Sequence, residues 1–310
     1  MLDKRLKAKP HFNRFLKSLM VVKNHSKTEI LFSEWLAVIN QTIENTTTRK
    51  LLIFCTFTTS FIQEKILRSS KSAKWITNSD DFHFSFEDVE PIITFPSKID
   101  LGCSNDRGEI NIFNTKGVYY PLSNKWIGGE GMIYWENHGF SKDSVFVQTS
   151  NYKVDTRKSQ IVADSSIFYN KNLFNEPIVG QLVNKIASGK QAERFPCFTS
   201  YSKDIELKEI FENVDYRGGY KLVGKEFIAD GGEYRKARIV FRKAGKVVFI
   251  ANANRFNIGS DKITSEGAGV KIFFDKDSLY HSNLSFKYFD SKRQLQFYRD
   301  RNSSSGAPML

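Results

Sequence analysis

Three groups of residues have the types and spacing to do chemistry. The first is Trp135-Glu136-Asn137-His138, which sets a carboxylate beside an imidazole. Such a pair can move protons, or hold a metal ion once a third donor joins it. The other histidines stand at 11, 25, 83 and 281, and no HxH or HExxH spacing accompanies the pair. The second group is acidic. Glu130 with Glu136, or Asp275 with Asp277, supplies the two carboxylates, about 5–10 Å apart, that glycoside hydrolysis requires. Strand alternation would put Asp275 and Asp277 on one face, but pairs like these arise by chance in any chain of this size. There is no GxSxG elbow and no cysteine embedded in a nucleophile signature. The sequence therefore assigns no catalytic residue, no metal ligand and no cofactor, and it reads more readily as a binding or structural protein than as an enzyme.

The third group is aromatic. Tyr119, Tyr120, Trp126, Tyr134 and Trp135 fall within 17 residues. Flat rings on an exposed sheet face stack on sugar rings while their polar tips stay wet. The same rings on the covered face would simply fill a core. On the first reading these five are the candidate ligand-binding residues. Gly128-Gly129-Glu130-Gly131 lies among them. A glycine-rich loop cradles phosphate where a helix follows it, but here the strand formers Met132 to Trp135 follow, so a tight turn or bulge is expected.

The elements that must position these groups follow from periodicity. Phe12, Phe15, Leu16 and Leu19 recur at helical spacing, as do Leu31, Trp35, Leu36, Val38 and Ile39, with Ser26 or Thr28 as N-cap and Glu29 in the first turn. Leu51 to Leu67 is read as a third helix despite its threonines. Near Trp75 the period changes from 3.6 to 2. Phe82, Phe84 and Phe86 alternate with His83 and Ser85, and short strands then recur every 8–12 residues. These include Ile110 to Ile112, Val118 to Tyr120, Met132 to Trp135, Val145 to Val147, Ile161 to Ala163 and Ile167 to Tyr169. Ile178, Leu182, Val183 and Ile186 share a helical face, and Ile205 to Phe211 forms another short apolar cluster. Strands resume at Tyr220 and run to Tyr298, and Asp230-Gly231 reads as a hairpin turn. The expected fold is mainly β, of stacked short strands in a solenoid, jelly-roll or sandwich-like arrangement, behind a small helical N-terminal region. The expected divisions are 1–74 (basic, helical), 75–180 (first β segment), 181–212 (helical or irregular connector) and 213–310 (second β segment).

Charge is unevenly placed. The chain carries 46 Lys+Arg against 34 Asp+Glu, and residues 1–80 hold 14 of the cations against 6 of the acids. A basic segment attracts anionic lipid or nucleic acid. The only tight basic cluster, Lys4, Arg5, Lys7 and Lys9, is too small a footprint for nucleic acid, which is not an expected partner. Cys55, Cys103 and Cys197 are odd in number and far apart, matching neither a disulfide framework nor a zinc site, and they leave the redox compartment open. Met1 to Pro10 is charged, with no apolar signal-peptide core close behind it. Arg299 to Leu310 reads as a loop ahead of another strand, so the expectation is a piece of a longer protein whose last strand leaves an open edge.

Ile161-Val162-Ala163-Asp164-Ser165-Ser166-Ile167-Phe168-Tyr169 resembles the short ADSAxxY rungs of the OstA-like β-jelly-roll repeats of lipopolysaccharide transport. Val247 to Arg299 is similar in rhythm, with Asp277-Ser278-Leu279-Tyr280 in the same role, and the chain resembles part of a large bacterial repeat protein. The helical N-terminus and residues 178–212 depart from that pattern. The resemblance implies a non-enzymatic scaffold of the bacterial cell envelope or periplasm, with an apolar groove facing lipid. Other envelope proteins would be its partners, and it would self-associate through its C-terminal edge. The aromatic cluster supports a different expectation, a carbohydrate-binding or carbohydrate-active domain.

Overall fold

The computed structural model describes residues 8–25, 29–71, 73–174, 176–232 and 235–298. The expected N-cap at Ser26 or Thr28, the basic residues Lys4, Arg5 and Lys7, and the tail from Arg299 lie outside the described residues. The fold is mainly β, with 55% strand against 21% helix.

Three helices come first: α1 (Ala8–His25), α2 (Glu29–Asn45) and α3 (Thr48–Glu64). The threonine-rich run is accommodated in the helix by its hydroxyls bonding back to it. The exposed Thr56 donates to the Leu52 carbonyl at 2.8 Å, and the buried Thr59 donates to that of Cys55 at 3.0 Å and so is not left unsatisfied. Thr47 caps the start of α3, accepting from the Lys50 N–H. Lys65 ends it in the left-handed region at φ 58°, its N–H returning to the Phe61 carbonyl. The expected helix therefore stops short: Ile66 and Leu67 begin a strand.

The strands follow in chain order. They are β1 (Ile66–Ser69), β2 (Lys74–Thr77), β3 (His83–Glu87), β4 (Glu90–Asn105), β5 (Gly108–Tyr120), β6 (Lys125–Gly128) and β7 (Gly131–Tyr134). Next come β8 (Val145–Thr149), β9 (Tyr152–Asp155), β10 (Gln160–Asn170), β11 (Ile178–Lys185), β12 (Cys197–Ser200), β13 (Ile205–Phe211) and β14 (Val214–Val223). The last are β15 (Glu226–Asp230), β16 (Ala237–Lys243), β17 (Lys246–Ala253), β18 (Arg255–Ile258), β19 (Lys262–Phe274), β20 (Asp277–Phe289) and β21 (Gln294–Tyr298).

The chain divides into two compact units. The first runs to Lys142 and takes in Phe146–Ser166 and Val183–Ala192; the second comprises Asp143–Val145, Ile167–Leu182 and the described residues from Glu193 onward. In the first unit β4 bends at Pro96–Lys98 and changes partners, pairing with β3 in its first half and β2 in its second. Long strands that bend and switch partner are how sandwich-like sheets turn their corners. The apolar face of α3 closes this unit's core. Phe61 meets Phe82 edge-on at 4.7 Å and Phe95 at 5.8 Å, and Phe57 meets Tyr119 at 5.5 Å. Each ring buried in this way contributes roughly 1.5–3 kcal/mol relative to leaving it in water.

The second unit repeats the device. β14 pairs with β16 through Val214–Arg217, then with β15 through Gly219–Val223. β19 pairs with β18 before its bulge and with β17 after it. Phe168, Phe198, Tyr220 and Phe227 stack in one part of its core, and Phe241, Phe249 and Phe286 in another.

Four expectations need correction. The segment 178–186 is not helical: Ile178, Gly180, Leu182 and Asn184 are buried on alternate positions of β11. Ile178, Leu182 and Ile186 are four residues apart, a spacing common to a helical face and a strand face, so the periodicity was degenerate. The second apolar cluster, Ile205 to Phe211, is likewise a strand, β13. Ile161 to Tyr169 is a single strand rather than two, kinked where Ser165 sits at φ 55° and Ser166 bonds back to the Ala163 carbonyl. Asp230-Gly231 does not close a hairpin, because β15 pairs with β14 and β18 while β16 pairs with β14 and β17.

Candidate functional site

The five aromatic candidates do not form an exposed platform. Tyr119, Trp126 and Trp135 are buried, and Tyr120 and Tyr134 half-buried. Tyr119 and Trp126 lie opposite one another on β5 and β6. Trp126 donates its indole N–H to the Tyr152 hydroxyl at 2.9 Å, and that hydroxyl shares a 2.7 Å bond with Thr115. The Tyr119 hydroxyl donates to the Leu67 carbonyl at 3.0 Å. Burial pushes its pKa up to about 12, and drives Tyr152 higher. Tyr134 packs between Phe113 and Phe146. The covered face won at Tyr119 because Phe57 of α3 lies against it, and at Trp126 because Phe95 and the Tyr152 hydroxyl meet it inside. Gly128 belongs to the same packing, since a Cβ there would sit 2.1 Å from the Tyr152 ring. The glycine cluster makes room for a side chain.

The acidic candidates also disperse. Glu136 is exposed in a single 3₁₀ turn, and His138 Nδ1 lies 2.7 Å from Asn137 Oδ1. Glu130 pairs at its exposed tip with Lys98, 3.9 Å away. Asp275 is in the β19–β20 turn and Asp277 opens β20, both exposed, so they do not line one strand face. Among the described residues no group of three or more His, Cys, Asp or Glu side chains is placed to hold a metal ion.

The arrangement with the most chemistry lies on the second unit, among residues the periodicity did not single out. The strand register lines up Glu206 of β13, Arg217 of β14, Arg238 of β16 and Asn252 of β17 in one row across the sheet. Arg217 binds Asp204 through two N–H groups, at 2.5 and 2.6 Å, and Glu206 at 3.1 Å. Arg235 reaches the same Asp204 at 3.0 Å. These two guanidinium groups hold the Asp204 carboxyl below its usual pKa, Arg217 more strongly. Lys203 pairs with Asp230, and Arg238 donates to the neutral Asn252 side chain. Lys236 lies two residues before Arg238 on the same exposed face. Among the described residues neither Lys236 nor Arg238 has a carboxylate partner.

All of these side chains except Glu206 and Asp230 line a concavity of about 290 Å³. Among the described residues, Lys203, Arg217, Arg235, Lys236 and Arg238 have three carboxylate partners, Asp204, Glu206 and Asp230, an excess of two positive charges. Gly218 and Gly219 leave room for the side chains packed against them. A Cβ at Gly218 would meet the Tyr216 hydroxyl at 2.3 Å, and one at Gly219 the Asp230 carboxylate at 2.4 Å. Planar guanidinium forks of this kind bind phosphate, sulfate or carboxylate through paired hydrogen bonds. The signal available in the sequence was the run Arg235-Lys236-Ala237-Arg238, whose alternation places Lys236 and Arg238 on one face; Lys203 and Asp204 come from the β12–β13 loop, and Arg217 and Asn252 from β14 and β17.

No protein-family model matches this chain, and no curated protein or solved structure does either. Among the described residues no helix is long and apolar enough to cross a membrane.

Proposed function

We propose that this chain is a non-enzymatic binding β-scaffold of the bacterial cell envelope, and that its ligand is a multiply charged anion held in the Lys203–Arg238 concavity. One observation carries the reading: Arg217 and Arg238 are held in facing register with Lys236 beside them, and among the described residues neither Lys236 nor Arg238 has a carboxylate partner. Placing two like charges directly opposite destabilises a sheet, and a phosphate or carboxylate seated between them reverses the sign. The envelope assignment rests on the rung rhythm shared with OstA-like repeats, and a phosphate-bearing glycan or glycolipid fits both arguments. The apolar residues of successive strands support a packed core more than an acyl groove, since the rings around Phe241, Phe249 and Phe286 lie in mutual contact. The anionic group is therefore the recognised part.

The test is calorimetric titration of the full chain with inorganic tripolyphosphate at low ionic strength. Saturable binding that weakens at least tenfold in Lys236→Gln/Arg238→Gln, and that salt suppresses, is the expected result. No binding at millimolar tripolyphosphate, or binding equal in the variant, overturns the proposal.

A further inference from the structure

The exposed face of α1 carries charges and apolar groups that the groove does not explain. Phe12, Leu16 and Met20 are 48%, 37% and 60% exposed. Spaced four residues apart, they follow one another along the helix, drifting about 40° per step. The opposite face is occupied: Ser18 and Val22 are buried, and Phe15 stacks on Trp35 at 6.1 Å. Arg14, Lys17 and Lys23 are exposed on the outer arc, and no Asp or Glu occurs between Ala8 and His25. Beside this arc a cleft of about 670 Å³ opens between α1 and α3, with Leu52 and Ile53 on its apolar side and Arg14 and Arg49 among its polar lining. Exposed large apolar side chains flanked by unopposed cations match a bilayer surface: the apolar groups enter the headgroup boundary and the cations meet lipid phosphates. Nucleic acid has no use for three protruding apolar groups of this kind.

We propose that α1, with the start of α3, docks this protein on an anionic lipid surface, lying in its plane. The experiment is co-sedimentation of the full chain with vesicles of phosphatidylcholine alone or of phosphatidylcholine with phosphatidylglycerol. Binding to the anionic vesicles only, lost in high salt, is expected. Leu16→Glu/Met20→Glu should weaken it at least tenfold, and Lys17→Glu/Lys23→Glu likewise; all four side chains are exposed, so circular dichroism should be unchanged. Lys236→Gln/Arg238→Gln should bind vesicles as the parent does, separating this surface from the groove. Equal binding to neutral vesicles, no binding, or binding indifferent to the α1 variants overturns the proposal, as does loss of binding in the groove variant alone. Retention of single-stranded DNA in place of vesicles counts against it in the same way.

Discussion

Arg217 on β14 faces Arg238 on β16 across an antiparallel pair, with Asp204 and Glu206 engaging the first and, among the described residues, the neutral Asn252 the second. On the proposed function this apposition costs stability in the free chain, and a bound anion would offset that cost. Arg238→Gln should therefore leave the melting temperature unchanged or slightly raised at low salt. The parent chain, but not the variant, should gain about 2.7 kcal/mol at a ligand concentration a hundred times its Kd. Thermal melts with and without tripolyphosphate check both signs; a variant that melts well below the parent without ligand would show that the arginine is a structural support.

Trp126 is a core residue, and its substitution should read as such. Trp126→Ala should lose about 3–5 kcal/mol of folding stability, from the cavity and lost burial. Trp126→Phe removes chiefly the bond to Tyr152 and should lose about 1 kcal/mol. Urea denaturation measures both. Glycan binding that disappears in Trp126→Phe while stability holds would restore the stacking platform.

Alkaline pH should unfold the chain through its tyrosines. Burial raises the pKa of Tyr119 to about 12, and raises those of Tyr152, Tyr216 and Tyr220 as well. An unfolded tyrosine releases its proton near pH 10. Above that pH the unfolded chain holds fewer protons than the folded one, so stability falls as pH rises. The contribution of Tyr119 is whole below about pH 10 and is lost progressively toward its own pKa, at up to about 1.4 kcal/mol per pH unit. Urea titrations at rising pH, followed with phenolate absorbance, should show these hydroxyls ionising together with unfolding. Gradual ionisation of the intact fold would contradict their burial.

Among the described residues β21 packs along one strand, β20, in the register Ser285↔Tyr298 to Phe289↔Gln294. Among the described residues no strand pairs with its other side, whose backbone groups could then pair with another chain. The isolated chain should self-associate at concentrations of about tens of micromolar, and Gln294→Lys/Tyr298→Lys, which charges the edge, should shift it toward monomer. Sedimentation velocity decides; a monomer in the parent chain at those concentrations refutes the edge contact.

The sequence by itself determined the kind of each element where the period was unambiguous. Phe84 within β3 and Phe82 just before it are both buried, as alternation requires, and α1 and α2 show their apolar stripes. β20 and β21 pair across Asp290-Ser291-Lys292, where turn and strands are neighbours in the chain. The sequence did not determine β11, since residues four apart share a face in helix and strand alike. It also could not say which face of β5 and β6 is covered. That depends on α3, whose Phe57 meets Tyr119 across more than fifty residues of chain, and this contact turns Tyr119 and Trp126 from a possible sugar platform into core. The groove was furthest from view. Arg217 and Arg238 are brought together by a register that passes over β15 altogether, and Lys203 and Asp204 arrive from the β12–β13 loop and Asn252 from β17. Local preference acts along the chain, so the sequence shows the basic excess of residues 1–80, whereas the cations around Arg217 and Arg238 converge only when non-local strands pair, and the tertiary structure alone decided that cluster.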